Sequence, residues 1–181
     1  MDLNWKLNKT EHIVQDEWID FRKESFILPD GKEFSPFYNY SRRNFVVIIA
    51  RTKDDKYITV EQFRHGLKKV TTEFCAGGIE GSEHESALLA AKRELEEETG
   101  YVSNDWKHIY TIPSNPTIAD NYAFLYYADN CEKVSNQHLD STEFLEVKEY
   151  TEDEINDLIK NNEFVQPIHL MGWLMLKKGV L

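Results

Sequence analysis

Apolar residues recur along this chain with two periods. Residues 11–28, EHIVQDEWIDFRKESFIL, are rich in strand-type residues, and Pro29-Asp30-Gly31 follows as a turn signal. The run FVVIIA at 45–50 predicts a buried strand, Asp54-Asp55 a turn, and the alternation over 57–63 a second strand. A short strand is expected at 72–75, with others at 106–112, 122–128 and 144–150. Helical periodicity appears three times. The first helix is expected over 83–99, with Ser82 and Glu85 in capping-box spacing and Gly100 where a left-handed C-terminal cap is wanted. The second opens on another capping box, Thr151-x-x-Glu154, and puts Ile155, Leu158 and Ile159 on one face. The third follows Pro167 and runs through 169–177, where Trp173 reads as core. Strands interleaved with a few helices predict an α/β (mixed α+β) fold, a mixed sheet sandwiched between helices. The expected organisation is a β-rich N-terminal arm over 1–40 and a main domain over 41–181.

Composition narrows the partners. The 181 residues, 41% hydrophobic and 13% aromatic, can bury a core without staples. Acidic residues outnumber basic ones, 32 to 21, giving a formal net charge of -11. That balance disfavours nucleic acid and anionic lipid as partners. Cys75 and Cys131 form neither a metal-ligand spacing nor a disulfide framework. The polar start MDLNWKLNKT shows no secretory signal, and the run at 45–50 is far too short to span a membrane. A cytoplasmic protein is the expectation.

The informative segment is 77–101, GGIEGSEHESALLAAKRELEEETGY. At about 100° per residue, Glu94, Glu97 and Glu98 share an arc of roughly 100° beside the apolar stripe of Leu88, Ala91 and Leu95. Glu98 borders that stripe and should be partly desolvated, whereas Glu96 points away toward Lys92. Three like charges at 4 to 6 Å cost on the order of a few kcal/mol per pair at an effective dielectric near 20. Arg93, four residues before Glu97, can neutralise one carboxylate. A divalent cation can hold the others, and an all-oxygen site suits Mg²⁺ or Mn²⁺. A solvated glutamate-rich face is the commoner meaning of such a run taken alone.

The flanking residues alter that balance. Gly77-Gly78 reads as a flexible entry to the helix. Glycine, loop, Glu85, seven residues and then Arg93-Glu94-Leu95-x-Glu97-Glu98-x-Gly100-Tyr101 resemble the Nudix box, G-x5-E-x7-R-E-U-x-E-E-x-G-U, where U is a bulky apolar residue. One departure shows: six residues, not five, separate Gly78 from Glu85. The resemblance implies an α/β/α sandwich of the Nudix type that hydrolyses a nucleoside diphosphate linked to another group. It assigns the catalytic metals to Glu94, Glu97 and Glu98, makes Arg93 the residue that orients a glutamate, and leaves Glu85 a structural partner.

More of the chain is similar to the ADP-ribose and ADP-sugar pyrophosphatases. ITVEQFRHG followed by EFCAGGIE resembles that subgroup's V-x-Q-Y-R…E-x-P-A-G, with Phe63 in place of Tyr and Cys75 in place of Pro. LPDGK near the start and Pro116 past the box fit the same subgroup. The resemblance implies ADP-ribose hydrolysis to AMP and ribose 5-phosphate, with an acidic residue in the loop before the last strand acting on water. Glu143 is chosen for that role over Asp140 and Glu146. Arg64 is the favoured phosphate contact among Arg64, Lys68, Lys69, Arg42, Arg43 and Arg51. For base stacking the candidates are Trp18, Phe21, Phe37 and Tyr38, with Trp18 and Pro116 assigned to substrate binding. Relatives of this kind are commonly homodimers sharing N-terminal strands. Alternative readings are a Nudix hydrolase of NADH, a dinucleoside polyphosphate or a modified nucleotide, and a nucleotide-binding Nudix module without catalysis.

Overall fold

A computed structural model of the chain describes residues 2–80 and 86–179. These divide into two units, one of residues 1–43 with 113–122 and the other of 44–112 with 123–181. The first is a three-stranded antiparallel sheet, β1 (Lys6–Gln15), β2 (Asp20–Ile27) and β3 (Glu33–Ser41), in the order β1-β2-β3. Its turn after β1 is closed by Asp16, whose Oδ1 accepts from the Trp18 and Ile19 amides at 2.8 and 2.9 Å. Trp5, Phe26, Phe34 and Phe37 pack edge to face within it, their paired ring centroids 5.9 to 6.2 Å apart. The segment 113–122 belongs to this unit. The Tyr40 amide donates to the Ile118 carbonyl at 2.8 Å, and Asp120 pairs with Arg22 at 3.2 Å.

The second unit is built on β4 (Phe45–Thr52), β5 (Tyr57–Arg64), β6 (Lys69–Glu73), β7 (Cys75–Gly78), β8 (Tyr101–Val102), β9 (Asp105–Pro113), β10 (Tyr122–Lys133) and β11 (Leu145–Tyr150). The sheet order is β11-β5-β4-β10-β8, with β6 on β5, β7 on β4 and β9 on β10. β4 and β10 run parallel, whereas β10–β8, β11–β5, β4–β5, β4–β7 and β5–β6 are antiparallel, so the sheet is mixed. β4 has a central place because both its faces are buried. Val46, Ile48 and Ala50 face α1 (Ala87–Thr99), packing with Ala90, Ala91 and Leu95. Val47 and Ile49 face the other way, into a core with Ile155 of α2 (Glu152–Lys160) and Trp173 of α3 (Pro167–Lys177). A continuous apolar strand between two helical layers is the α/β/α sandwich the sequence predicts. No described helix is long and apolar enough to cross a membrane.

Some boundaries differ from expectation. The strand expected at 72–75 is two strands, because the chain changes partner at Phe74: β6 pairs with β5, and β7 with β4. Phe74 itself is fully buried in the second core. Gly77-Gly78 lies in β7, paired with Val46 and Phe45, and is not a flexible entry to the helix. α1 starts at Ala87, not at 83, because the Ser86 side chain accepts from the Leu89 amide and takes the N-cap. The Ser82 and Glu85 pair lies outside the described residues. Phe144 is 83% exposed and sits just before β11. The capping box at Thr151 and Glu154 is formed, and Pro167 is the first residue of α3.

Gly100 ends α1 with φ 75°, and its amide donates to Glu96 at 2.8 Å. A Cβ there would lie 2.2 Å from the Ser135 carbonyl oxygen, which belongs to the backbone and cannot swing aside. Gly100→Ala therefore combines left-handed strain with a main-chain collision. We expect a loss of about 2–4 kcal/mol, read as a melting temperature lower by roughly 5–15 °C. An unchanged melting temperature would contradict the cap geometry.

Candidate active site

Two acids of α1 are buried. The stripe that packs Ala91 and Leu95 against the sheet carries Glu94 and Glu98 inward with it, leaving them 8% and 5% exposed. The opposing surface is β7. Its Ala76 amide donates to Glu98 Oε2 at 3.2 Å. Its Gly77 has no side chain where one would collide, since a Cβ there would stand 1.9 to 2.2 Å from the Glu94 carboxyl atoms. The glycine is thus a cradle for Glu94. Arg93 ties the helix to the strand: Nη1 donates to Glu94 Oε1 and Glu97 Oε2, both at 2.9 Å, and Nη2 donates to the Gly78 carbonyl at 3.1 Å. Glu97, with its side chain 45% exposed, is the outermost of the three.

The loop after β10 is fastened to the C-terminal turn of α1. The His138 amide donates to the Glu97 carbonyl, and the Gln137 side chain to the Glu98 carbonyl, each at 2.8 Å. Val134 donates to the Gly100 carbonyl at 2.9 Å. These bonds satisfy carbonyls that the end of a helix leaves open. Further along the loop, Glu143 Oε2 accepts from the Asp140 amide at 3.0 Å. Glu143 lies near enough to Glu94, Glu98 and Cys75 to act on the charge of all three. Glu146 instead pairs with Lys148 on the surface at 2.8 Å.

A family profile for the NUDIX domain matches residues 40–169. The chain belongs to the Nudix family. It is 32% identical over 174 residues to the ADP-ribose pyrophosphatase of Bacillus subtilis, covering 94% of this chain and 92% of that protein. It is 34% identical over 156 residues to the methanol dehydrogenase activator of Bacillus methanolicus, covering 86% and 83%. The ADP-sugar pyrophosphatase of Mus musculus is 31% identical over 61% of this chain and 62% of its own. A crystal structure of an ADP compounds hydrolase superposes with a TM-score of 0.86 at 18% identity, covering 99% and 96% of the two chains. This Nudix protein is a pyrophosphatase-type hydrolase related to the ADP-ribose and ADP-sugar enzymes.

The electrostatics of this Nudix site follow from burial. Desolvation raises Glu94 to about 7; Arg93 opposes the shift, while Glu97 and Glu143 add to it. Desolvation likewise raises Glu98 to about 8; a hydrogen bond from the Cys75 thiol opposes the shift, and Glu94 and Glu143 add to it. The Cys75 thiol is itself pushed well up by burial and by Glu98. Two carboxyls that hold protons so tightly are sites where a divalent cation can take the protons' place. Among the described residues, no three His, Cys, Asp or Glu side chains already converge on one centre, since Arg93 collects Glu94 and Glu97 instead.

The other residues singled out from sequence are placed as follows. Arg64, one-third exposed, is not a free surface arginine, because its Nε donates to the fully buried Glu73 at 2.7 Å. Arg51 is taken by Asp129 through two bonds of 2.9 and 2.8 Å. Trp18 and Pro116 both belong to the first unit and are exposed, and the Arg43 guanidinium lies 5.4 Å from the Trp18 ring centre. Phe21 stacks on Tyr38 with centroids 5.8 Å apart, and Phe37 is in the aromatic cluster. Sequence reasoning missed Gln137 and His138, whose contacts to α1 carry no local pattern. It also missed the cradle role of Gly77, for which the Gly-Gly pair was the available signal.

The raised proton affinities set a pH dependence. Folded Glu94 and Glu98 bind protons more tightly than the unfolded chain, whose glutamates titrate at about 4.5. Their favourable contribution is present below that value and is lost as pH rises through about 7 and 8. Chelator-treated protein should therefore lose on the order of a few kcal/mol of stability between pH 5 and pH 8. Urea denaturation across that range checks this, and Glu98→Gln should flatten the slope. Stability that rises over the range would contradict the burial of the two acids.

Proposed function

We propose that the chain is a divalent-metal-dependent hydrolase of ADP-ribose or a closely related nucleoside diphosphate sugar, producing AMP and ribose 5-phosphate. The observation that carries the proposal is the buried Glu94 and Glu98 pair held against β7, with Glu97 beside it and Arg93 bracing the group. Three acids and a net charge of -11 would otherwise repel a diphosphate. Glu94, Glu97 and Glu98 are the residues that would hold Mg²⁺ or Mn²⁺, an all-oxygen set of the kind those ions favour. The cation would screen the phosphate charge and make bound water more acidic. Arg93 keeps Glu94 and Glu97 at fixed separation. Glu143, exposed and acting on the charges of Glu94 and Glu98, accepts the proton as water attacks phosphorus and the bridging P–O bond breaks. Arg64 is assigned to the diphosphate, and Trp18 and Pro116 to the nucleoside.

The likeness to named ADP-ribose and ADP-sugar pyrophosphatases over most of the chain supports the substrate class. Two free, buried cysteines suit the reducing cytoplasm. The test is AMP formation from ADP-ribose in Mg²⁺ or Mn²⁺, set beside ADP-glucose and NADH. The expected result is the highest kcat/KM for ADP-ribose, with Glu97→Gln and Glu98→Gln each lower on the order of a thousandfold. Turnover that survives both substitutions, or that is unaffected by chelator, would remove the assigned metal role. A preference for NADH would move the chain to another Nudix substrate.

We also propose that the N-terminal arm mediates a homodimer. The three-stranded sheet leaves Trp5, Leu7, Ile13, Val14, Phe34 and Tyr38 each 43 to 57% exposed, a large apolar surface for so small a sheet. Light scattering should give about twice 21.3 kDa, falling to the monomer mass in a Trp5→Glu, Ile13→Glu variant. A monomer at micromolar wild-type concentration would refute this arrangement.

A further inference from the structure

The second unit contains three arginines, Arg51, Arg64 and Arg93, and they are used differently. Arg51 gives Nε and Nη2 to Asp129 and Nη1 to Asp55. Arg93 gives Nη1 to Glu94 and Glu97 and Nη2 to Gly78. The Arg64 guanidinium is held through Nε, by Glu73 Oε1 at 2.7 Å, and its Nη1 and Nη2 donate to no other side chain or carbonyl among the described residues. Holding a guanidinium by its inner nitrogen leaves Nη1 and Nη2 as a fork of parallel donors, the shape that matches a phosphate.

The holder is unusual. Glu73 is 0% exposed, and an isolated carboxylate at that depth would be costly. Its neighbours show why it stays there. Burial pushes the Glu73 carboxyl up, while Arg64 first, and then Gln166, the N-cap residue of α3, and Gln62 of β5 act in favour of its charged form; Oε2 accepts no fully formed hydrogen bond. His169, in the first turn of α3, is 4% exposed, and it feels the Arg64 charge. Glu73 is thereby set in a frame of β5, β6 and the start of α3. It also stands three residues before Ala76, whose amide holds Glu98. An extended segment of that length spans about 10 Å, so one continuous piece of chain fixes both the arginine and the acidic face.

We infer that Glu73 is a positioning residue that fixes Arg64 by its Nε so that Nη1 and Nη2 are presented to the diphosphate of the substrate. This rests on the proposed nucleoside diphosphate substrate and adds the group that orders its phosphate contact. Without Glu73 the side chain regains its rotamers and must be ordered again on each binding event. The contact is made equally to substrate and transition state, so its loss raises KM and leaves kcat nearly unchanged.

The experiment measures ADP binding by calorimetry in Mg²⁺ together with ADP-ribose kinetics, for wild type, Glu73→Gln, Arg64→Lys, Arg64→Ala and the Glu73→Gln, Arg64→Ala double variant. Glu73→Gln and Arg64→Lys should each weaken ADP binding and raise KM about tenfold, with kcat within about twofold. The double variant should bind no more weakly than Arg64→Ala. Arg64→Lys keeps the charge and replaces a partly exposed residue, so it decides the matter should Glu73→Gln fail to fold. Wild-type affinity in Arg64→Lys, or in folded Glu73→Gln, overturns the inference. If wild type binds ADP but does not cleave ADP-ribose, the substrate reading fails and the calorimetry still decides the role of Glu73. If wild type does not bind ADP, both fail.

Discussion

Keeping two carboxyl groups side by side in a nearly dry place is the constraint on which the second unit depends. Glu94 and Glu98 are one helical turn apart, and both face β7. Burial that would ordinarily exclude such a pair is made tolerable by local means: one backbone amide, one thiol, one arginine and one missing side chain. Each lies on a different stretch of chain from the helix itself, apart from Arg93. The sheet register that sets Ala76 opposite Val47 and Gly77 opposite Val46 is therefore part of the site's chemistry as well as of its packing.

Much of that arrangement was legible in the sequence. The 100° spacing put the three glutamates on one arc beside the apolar stripe, and burial of Glu98 at the border of that stripe followed. Arg93 at i−4 from Glu97 gave one of its two ion pairs. Its other contacts, with Glu94 and with the Gly78 carbonyl, depend on where β7 lies and had no local signature. The same reason explains the misread glycines. Gly-Gly before a helix signals a bend when only neighbours in sequence are considered. Here the neighbour that matters is a carboxyl group seventeen positions away.

The fold was read well where a segment is long and periodic and less well where it is short. β4, α2 and α3 each carry several residues of pattern, and their types were clear. β7 and β8, with four and two residues, are too short to show a period. The change of partner at Phe74 is a tertiary choice, visible only once β4 and β5 compete for the same segment. Likewise, 113–122 joins the N-terminal sheet through Tyr40 and Arg22, contacts about 80 to 100 residues distant in the chain. Arg64 showed as a strand-end cation, but its counter-ion in the next strand is buried, and alternation alone did not connect the two.

The strap from Val134 to His138 is stitched to the last carbonyls of α1, whereas the stretch from 139 to 144 beyond it is held mainly to itself. Helix and strap are thus joined by several bonds, and the span that carries Glu143 extends beyond them as an outrigger. Lengthening or shortening that outrigger would alter how far its acid reaches while leaving the inner carboxyls untouched. A fold of this kind can vary what its outer rim accommodates by editing half a dozen surface positions, with the inner acidic pair kept in place.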